Sequence, residues 1–401
     1  MKTDSKYKEI GILPKEEMLE IKNEFKCLNI GVPKESSFQE NRVPLTPEAV
    51  LLLVNYGHKI IIENGAGSLA NFSDDEYIKA GADVVFSKKE VFDADIIVKI
   101  EPPTDSEMKL LKQGQKIISA IQLHTRERSF FEQLINKNIT SIAVEYIRDS
   151  EGKLGLLRSM SEIAGSTSLL IASEYLSNVN SGKGLMLGGV TGVNPTEVVI
   201  IGAGTVGEYA CKTALGLGAN VSVYDNLLTR LRRINQLTNN QVSTSLIDIK
   251  NLSKSLMRSD VVIGALRSGE GKTPCVVNED MISSMKEGSV IIDVSIDHGG
   301  CFATSRVTSH KDPIFTKHGV IHYCVPNIPS RVSRTSSFAV SNIILPILIQ
   351  IGNEGGVKNV IKKDFGIRKG VYTFGGMMTN KTLSKMFDLS YKDLDLITAA
   401  I

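Results

Sequence analysis

Apolar and polar positions alternate in blocks along the first part of the chain. The runs LNIGV (28–32), KIIIE (59–63), DVVF (83–86), DIIVKI (95–100), KIISAI (116–121) and SIAVEY (141–146) are short and rich in β-branched residues. Such runs read as buried strands. Between them lie helical stretches such as SFFEQLINKN (129–138). A further helix is predicted from Pro47, with Thr46 as N-cap and proline in the first helical position. Strands alternating with helices imply a parallel α/β sheet. Residues 1–27 read as a charged, partly helical extension.

From Ser161 the pattern becomes one long amphipathic stretch, SEIAGSTSLLIASEYLSNV (161–179), with Ser161 predicted as its N-cap. A glycine-rich loop, GKGLMLGGVTGVNP (182–195), leads to a second series: EVVIIGAG, ANVSVYD, DVVIGAL and GSVIIDVSID. These have the size and rhythm of a complete doubly wound unit. The last stretch, from about Thr335, opens on an apolar helix and is expected to return to the first domain. Its run from Phe338 to Ile351 contains Ser341, Asn342 and Pro346 and is too short to span a bilayer, so it reads as a buried helix. The predicted division is 28–158 plus 335–401 for one domain and 159–334 for the other.

The densest chemical signal is EVVIIGAGTVGEYACKTALGLGANVSVYD (197–225). After a buried strand, Gly202 permits a tight turn, Gly204 lets the backbone approach a pyrophosphate, and Gly207 lets helix pack on strand. Thr205 and Val206 open that helix, whose free N–H groups and dipole favour phosphate. Asp225, roughly 20 residues on at the end of the next strand, can accept from both ribose hydroxyls and would repel a 2′-phosphate. The expected cofactor is therefore NAD. Leu266, at the end of DVVIGAL, joins the same crevice. A near copy at Gly65-Ala66-Gly67 is read as a turn, because Ser73 and Asp74 would start the following helix too late to face a phosphate.

Composition narrows the class without changing it. Hydrophobic residues make 42% and charged ones 22% of 401 residues, as in an ordinary globular protein. With 46 basic and 44 acidic residues nearly cancelling, no nucleic-acid or membrane surface is expected. Five scattered cysteines form no C-x-x-C pair, which gives no metal site and no disulfide framework. The N-terminus has no apolar core of a signal peptide. A cytoplasmic protein with reduced thiols is expected.

Several ordered segments carry a family resemblance: IGVPKE (30–35), RVPLTP (42–47), NGAG (64–67), MSEIAG (160–165), LGGVTGVNP (187–195), VVIIGAG (198–204), IDHGGC (296–301) and NIPSRVSRTSS (327–337). From about Asn29 to Ile351 the chain resembles alanine dehydrogenases and the NAD-binding subunits of proton-translocating transhydrogenase. The resemblance implies two doubly wound, Rossmann-like α/β domains with a cleft between them. It also implies oxidation of L-alanine to pyruvate by NAD, a small amino acid or keto acid as substrate, and a homo-oligomer, hexamer or dimer. Arg42 matches the family's carboxylate-binding arginine, since a guanidinium can hold a carboxylate bidentately. Asp297 matches its catalytic aspartate, whereas Asp293, inside VIIDVSID, reads as structural. Ser161 matches a residue near the cofactor pyrophosphate, with helix capping as its other reading. Asn327 falls where the family's chain meets the nicotinamide, or serves only as a turn residue.

Two positions depart from the family pattern. Glu101, in DIIVKIEPP, falls where the family has a substrate-binding lysine, with Lys99 two residues earlier and ~7 Å away along the strand. Gln122, in SAIQLHT, falls on the catalytic histidine, with His124 two residues later. A carboxylate cannot bind a carboxylate, and an amide cannot serve as a base near neutrality. Three readings stay open: Lys99 and His124 take over; Glu101 is the base, for a cationic or opine- or saccharopine-type substrate; or the chain binds NAD(H) without alanine turnover, as a transhydrogenase-like subunit. Arg331 resembles the transhydrogenase loop, whereas Asp297 resembles the amino-acid enzymes.

Overall fold

The structure, a computed structural model, describes residues 25–122, 126–180, 182–267 and 272–399. The early apolar runs form strands β1 (Asn29–Val32), β2 (Lys59–Glu63), β3 (Asp83–Val85), β4 (Ile96–Val98), β5 (Lys116–Ser119) and β6 (Thr140–Ala143). The four later runs form β7 (Glu197–Ile201), β8 (Asn220–Asp225), β10 (Val261–Gly264) and β11 (Val290–Asp293), and β9 (Ser243–Leu246), β12 (Ile314–Lys317) and β13 (Val320–Tyr323) come from segments that the sequence reading left without strands. β14 (Val371–Phe374) and β15 (Met377–Met378) come from the far end of the chain.

These strands build two sheets, in the orders β15-β14-β6-β5-β4-β1-β2-β3 and β12-β13-β11-β10-β7-β8-β9. β1 to β6 pair in parallel, as do β7 to β11 and β13, while β12, β14 and β15 pair antiparallel at sheet ends. Both sheets therefore share one doubly wound order, and each reverses direction once, between β1 and β4 and between β7 and β10. The expected α/β class is what forms. Strands buried on both faces need near-continuous apolar runs. Val198 and Ile200 pack into one layer while Val199 and Ile201 pack into the opposite one. Of the five strands the sequence reading missed, β9, β12 and β15 are edge strands, short and only partly buried, whereas β13 and β14 are largely buried runs of four residues with polar members such as His322 and Thr373.

Thr46 caps its helix as expected, accepting from the Ala49 N–H, with Pro47 in the first turn. The Ser161 cap is a correction. The helix runs from Gly155 to Leu176, and Ser161 lies well inside it. Its first turns are retained because Leu156 and Met160 pack on the core of the first sheet, while Ala164, Leu169 and Ile171 enter the core of the second. One helix thus ties both cores together. The apolar run 338–351 lies in the longer helix Ser333–Asn353, which buries Val340, Ile344, Leu348 and Ile351 against the first sheet. Among the described residues Ile328–Asn353 is long and apolar enough to cross a membrane, and half of its most apolar stretch is buried inside the protein.

Candidate active site

The glycine loop closes as its spacing demands. Gly202 has φ +114°, and a β-carbon there would lie 2.4 Å from the Ala265 carbonyl oxygen. At Gly207 it would lie 1.8 Å from the Gly202 carbonyl oxygen, so only glycine lets this helix meet its strand. At Gly204 it would meet nothing within 4 Å. The first and third glycines are thus filled by protein, and the second faces open space before the helix Thr205–Gly216, which no side chain caps. That cradle fits a dinucleotide pyrophosphate. Gly165 belongs with it: a β-carbon there would strike the Val206 carbonyl oxygen at 2.3 Å.

Asp225, at the end of β8, is buried; it accepts from the Ala203 N–H at 2.7 Å and the Leu227 N–H at 2.8 Å. Arg230 stands 3.5 Å away. The carboxylate is therefore fixed against the phosphate turn by the loop it would serve. The Gly65-Ala66-Gly67 copy is a turn, as read. Asp74 ties down the Gly65 N–H, and a β-carbon at Gly67 would meet the Tyr77 ring at 2.6 Å, which leaves no room for a ligand.

Opposite this crevice, the loops after β1 and β4 leave the switch point of the first sheet. The first loop is held by hydroxyls from distant sequence: the Asn41 N–H donates to Ser330, the Val43 N–H to Ser337 and the Thr46 N–H to Ser341. It carries Glu40 and Arg42, whose guanidinium grips the Glu40 carboxylate through Nε at 2.7 Å and through a second, shorter bond. Glu40 also accepts from the Asn327 side chain at 3.1 Å, and the Asn327 N–H donates to Asp297 at 3.0 Å. Asn327 holds φ 58° and ψ 47°, a left-handed conformation that asparagine tolerates. A continuous polar chain, Arg42–Glu40–Asn327–Asp297, thus joins the carboxyl edges of the two sheets.

Asp297 is exposed as a residue, but desolvation around its carboxyl by the surrounding protein raises it above the ordinary aspartate range, only partly offset by the Asn327 N–H and by the charges of Arg42 and Arg267. Burial would also raise Glu40, but Arg42 outweighs it and holds that carboxylate below the usual range. Asp293 accepts from the Ser295 and Cys301 N–H groups and from the Ser305 hydroxyl, which anchors the 294–305 turn and fits a structural role.

The two departing positions sit differently. Glu101 is buried with Oε1 4.0 Å from an Arg42 nitrogen. Lys99 is wholly buried, and its ammonium is committed to Glu35 at 3.0 Å and Glu107 at 3.2 Å. Burial would lower the Lys99 pKa, but the two carboxylates outweigh it and keep it charged. Gln122, at φ 48°, is exposed, and its N–H and that of Ile121 donate to Glu145. His124 lies outside the described residues. Leu266 follows β10, where its nitrogen backs the Gly202 turn. Ser161 lies one turn before Gly165 in the bridging helix.

The sequence reading missed Glu40, the hub of the chain, and Glu145. Both were discoverable as acids in loops leaving the carboxyl ends of apolar strands.

A doubly wound domain with an open phosphate cradle, facing a second switch point that presents a guanidinium and carboxyls, defines a dinucleotide-linked oxidoreductase of small polar molecules. The comparisons sharpen this class. The models described as alanine dehydrogenase/PNT, N-terminal and C-terminal domain, match residues 31–164 and 168–381. Alanine dehydrogenase of Methanococcus maripaludis is 42% identical over 90% of this chain and 97% of its own length. Alanine dehydrogenase 2 of Staphylococcus aureus is 39% identical over 92% and 99%. A solved L-alanine dehydrogenase superposes with a TM-score of 0.83 at 36% identity, over 90% of this chain and 99% of that one. A transhydrogenase from Sinorhizobium meliloti shares the fold, with a TM-score of 0.76 at 22% identity over 88% and 99%. The chain belongs to the alanine dehydrogenase/PNT family, and it is an oxidoreductase of the alanine dehydrogenase type.

Proposed function

We propose that this enzyme converts L-alanine, NAD and water to pyruvate, ammonium and NADH with release of a proton. The observation that carries the reading is the Arg42–Glu40–Asn327–Asp297 chain, which sets a carboxylate binder and an acid–base group on facing switch points. NAD, when bound, supplies the hydride-accepting nicotinamide. Gly202, Gly204, Thr205, Val206 and Gly207 would hold its pyrophosphate and Asp225 its ribose, with Ser161, Leu266 and Asn327 along the crevice.

Arg42 keeps guanidinium N–H groups beyond those spent on Glu40 and on the Met160 sulfur and offers them to the substrate carboxylate. Asp297, its pKa raised by desolvation, takes the proton released as the amine is oxidised and returns it in the reverse direction. Lys99 acts from behind: by fixing Glu35, which accepts from the Ile100 N–H at 2.6 Å, it sets the path of the chain into Glu101. Glu145 fixes the left-handed turn at Gln122.

The proposed domains are 28–158 with 335–401, and 159–334, matching the membership of the two sheets. Val179, Met186, Val190 and Val193 are all more than half exposed, which supports a homo-oligomer. We place the enzyme in the cytoplasm, and the near-neutral charge supports the absence of nucleic-acid or membrane partners. The test is to mix the protein with NAD and a panel of amino acids and follow NADH absorbance. Turnover of alanine is expected, and turnover of none would remove the reading.

A further inference from the structure

Resting on the function just proposed, we infer that Glu101 works as a neutral carboxylic acid, donating its hydroxyl hydrogen to the carboxylate of the substrate bound at Arg42. Four glutamates, Glu35, Glu40, Glu101 and Glu107, are buried together with two cations, Arg42 and Lys99. A third cation, Lys88, is partly exposed and lies 3.0 Å from Glu107 and 3.8 Å from Glu63. Carboxylates outnumber cations, and a buried charge without a partner is strongly disfavoured, so this cluster must retain at least one proton.

Geometry selects which carboxyl keeps it. Glu40 has the Arg42 guanidinium twice and the Asn327 amide. Glu107 has Lys99, Lys88 and the Thr104 N–H. Glu35 is itself raised by burial but has Lys99 at 3.0 Å and the Ile100 N–H at 2.6 Å pulling the other way. Glu101 has one cation, 4.0 Å away and already neutralised by Glu40, and its other close partner is the Glu40 carboxylate itself, within hydrogen-bond contact, which also favours a proton on Glu101. Burial and the Glu40 charge accordingly push the Glu101 carboxyl up to about 8, against the pull of Arg42. Asp297, across the cleft, also lies within the field of Arg42.

The position makes that proton useful. Nε and Nη2 of Arg42 bond Glu40 and Nη1 bonds the Met160 sulfur at 3.2 Å, so a carboxylate docked on the remaining Nη hydrogens lies beside Glu101, where an ionised glutamate would repel it and a protonated one donates to it. The same arrangement argues against a cationic substrate, because Glu101 in its neutral form offers an ammonium no charge.

The test compares the wild type with Glu101→Gln, which keeps a neutral N–H donor of similar shape, and Glu101→Leu, which keeps none. KM for pyruvate in the NADH-oxidising direction should be flat to neutrality in the wild type and climb above pH 8. Glu101→Gln should bind pyruvate within a few-fold of the wild type and lack the climb. Glu101→Leu should raise KM by roughly 10-fold or more at every pH, with a smaller change in kcat. Infrared difference spectra of the cofactor-free protein at pH 6 should show a protonated-carboxyl band that Glu101→Gln removes.

Turnover of pyruvate without that band, a Gln variant as impaired as the Leu variant, or a preference for lysine or ornithine over alanine would each overturn the inference. Failure of the underlying function reads out separately, as a wild type that reduces no keto acid and oxidises no amino acid.

Discussion

Replacing Gly204 with alanine separates folding from cofactor binding at the phosphate turn. A methyl group there meets no atom within 4 Å, and the backbone, at φ −72° and ψ −166°, lies in a region alanine adopts freely. The folded protein therefore loses nothing, and the stiffer unfolded chain adds about 0.4–1 kcal/mol of stability. Binding should suffer instead, because the methyl stands where the pyrophosphate must approach. An overpacked contact of about 1–3 kcal/mol corresponds to roughly 5- to 150-fold weaker NADH binding.

Gly207→Ala is the control of opposite character. Its β-carbon would lie 1.8 Å from a backbone oxygen that cannot step aside without moving the strand, so the melting temperature should fall by several degrees. Fluorescence titration with NADH and thermal unfolding, run on both variants, give the two readouts. A Gly204→Ala protein binding NADH within twofold of the wild type, or a Gly207→Ala protein as stable as the wild type, would refute the division of labour among these glycines.

Three further outcomes are expected. Lys99→Met leaves Glu35 and Glu107 without their buried cation and should cost roughly 3–5 kcal/mol in urea unfolding, where a neutral result would dissolve the proposed charge cluster. Asp297→Asn should lower kcat by about 10²- to 10⁴-fold while leaving NADH affinity unchanged, and a variant retaining most of its turnover would move the acid–base role elsewhere. For pH, the folded Glu101 carboxyl, raised from 4.5 to about 8, binds its proton more tightly than the unfolded chain does. Its contribution is therefore full below about pH 4.5 and is lost as pH rises toward 8. Denaturation midpoints over that range should fall less in Glu101→Gln, and parallel curves would show that the group is ionised throughout.

Much of the fold was legible because the buried stretches of parallel strands must be apolar, and the runs at 60–62, 198–201 and 290–292 are. The glycine turn was legible for a related reason: each of its three glycines answers a separate steric demand, and few turns pose all three at that spacing. The start of the bridging helix was misread at Ser161 because a serine followed by an apolar run resembles a cap. What overrides it is tertiary. Leu156 and Met160 lie N-terminal to that serine and are held by a core built from distant strands. No window of local sequence contains those partners.

The face that carries Lys99 and Glu101 was harder to read, for a reason of charge and not of hydrophobicity. Lys99 and Glu101 lie two apart, and along an extended chain either could serve the same pocket. The structure separates them through partners far off in sequence: Glu35 and Glu107 take Lys99, while Glu40 neutralises Arg42 before Glu101 can. A glutamate at position 101 read alone is a repulsive carboxylate facing a carboxylate. In a cluster with more acids than cations it becomes the group left holding a proton, and hence a hydrogen-bond donor. The sign of its contribution to substrate binding is thus a property of the assembled cluster, so replacing its neighbours should change that sign without touching Glu101 itself. In Glu40→Gln, the freed Arg42 charge should draw the proton off Glu101 and weaken pyruvate binding at neutral pH, and unchanged binding would show that Glu101 does not face the substrate.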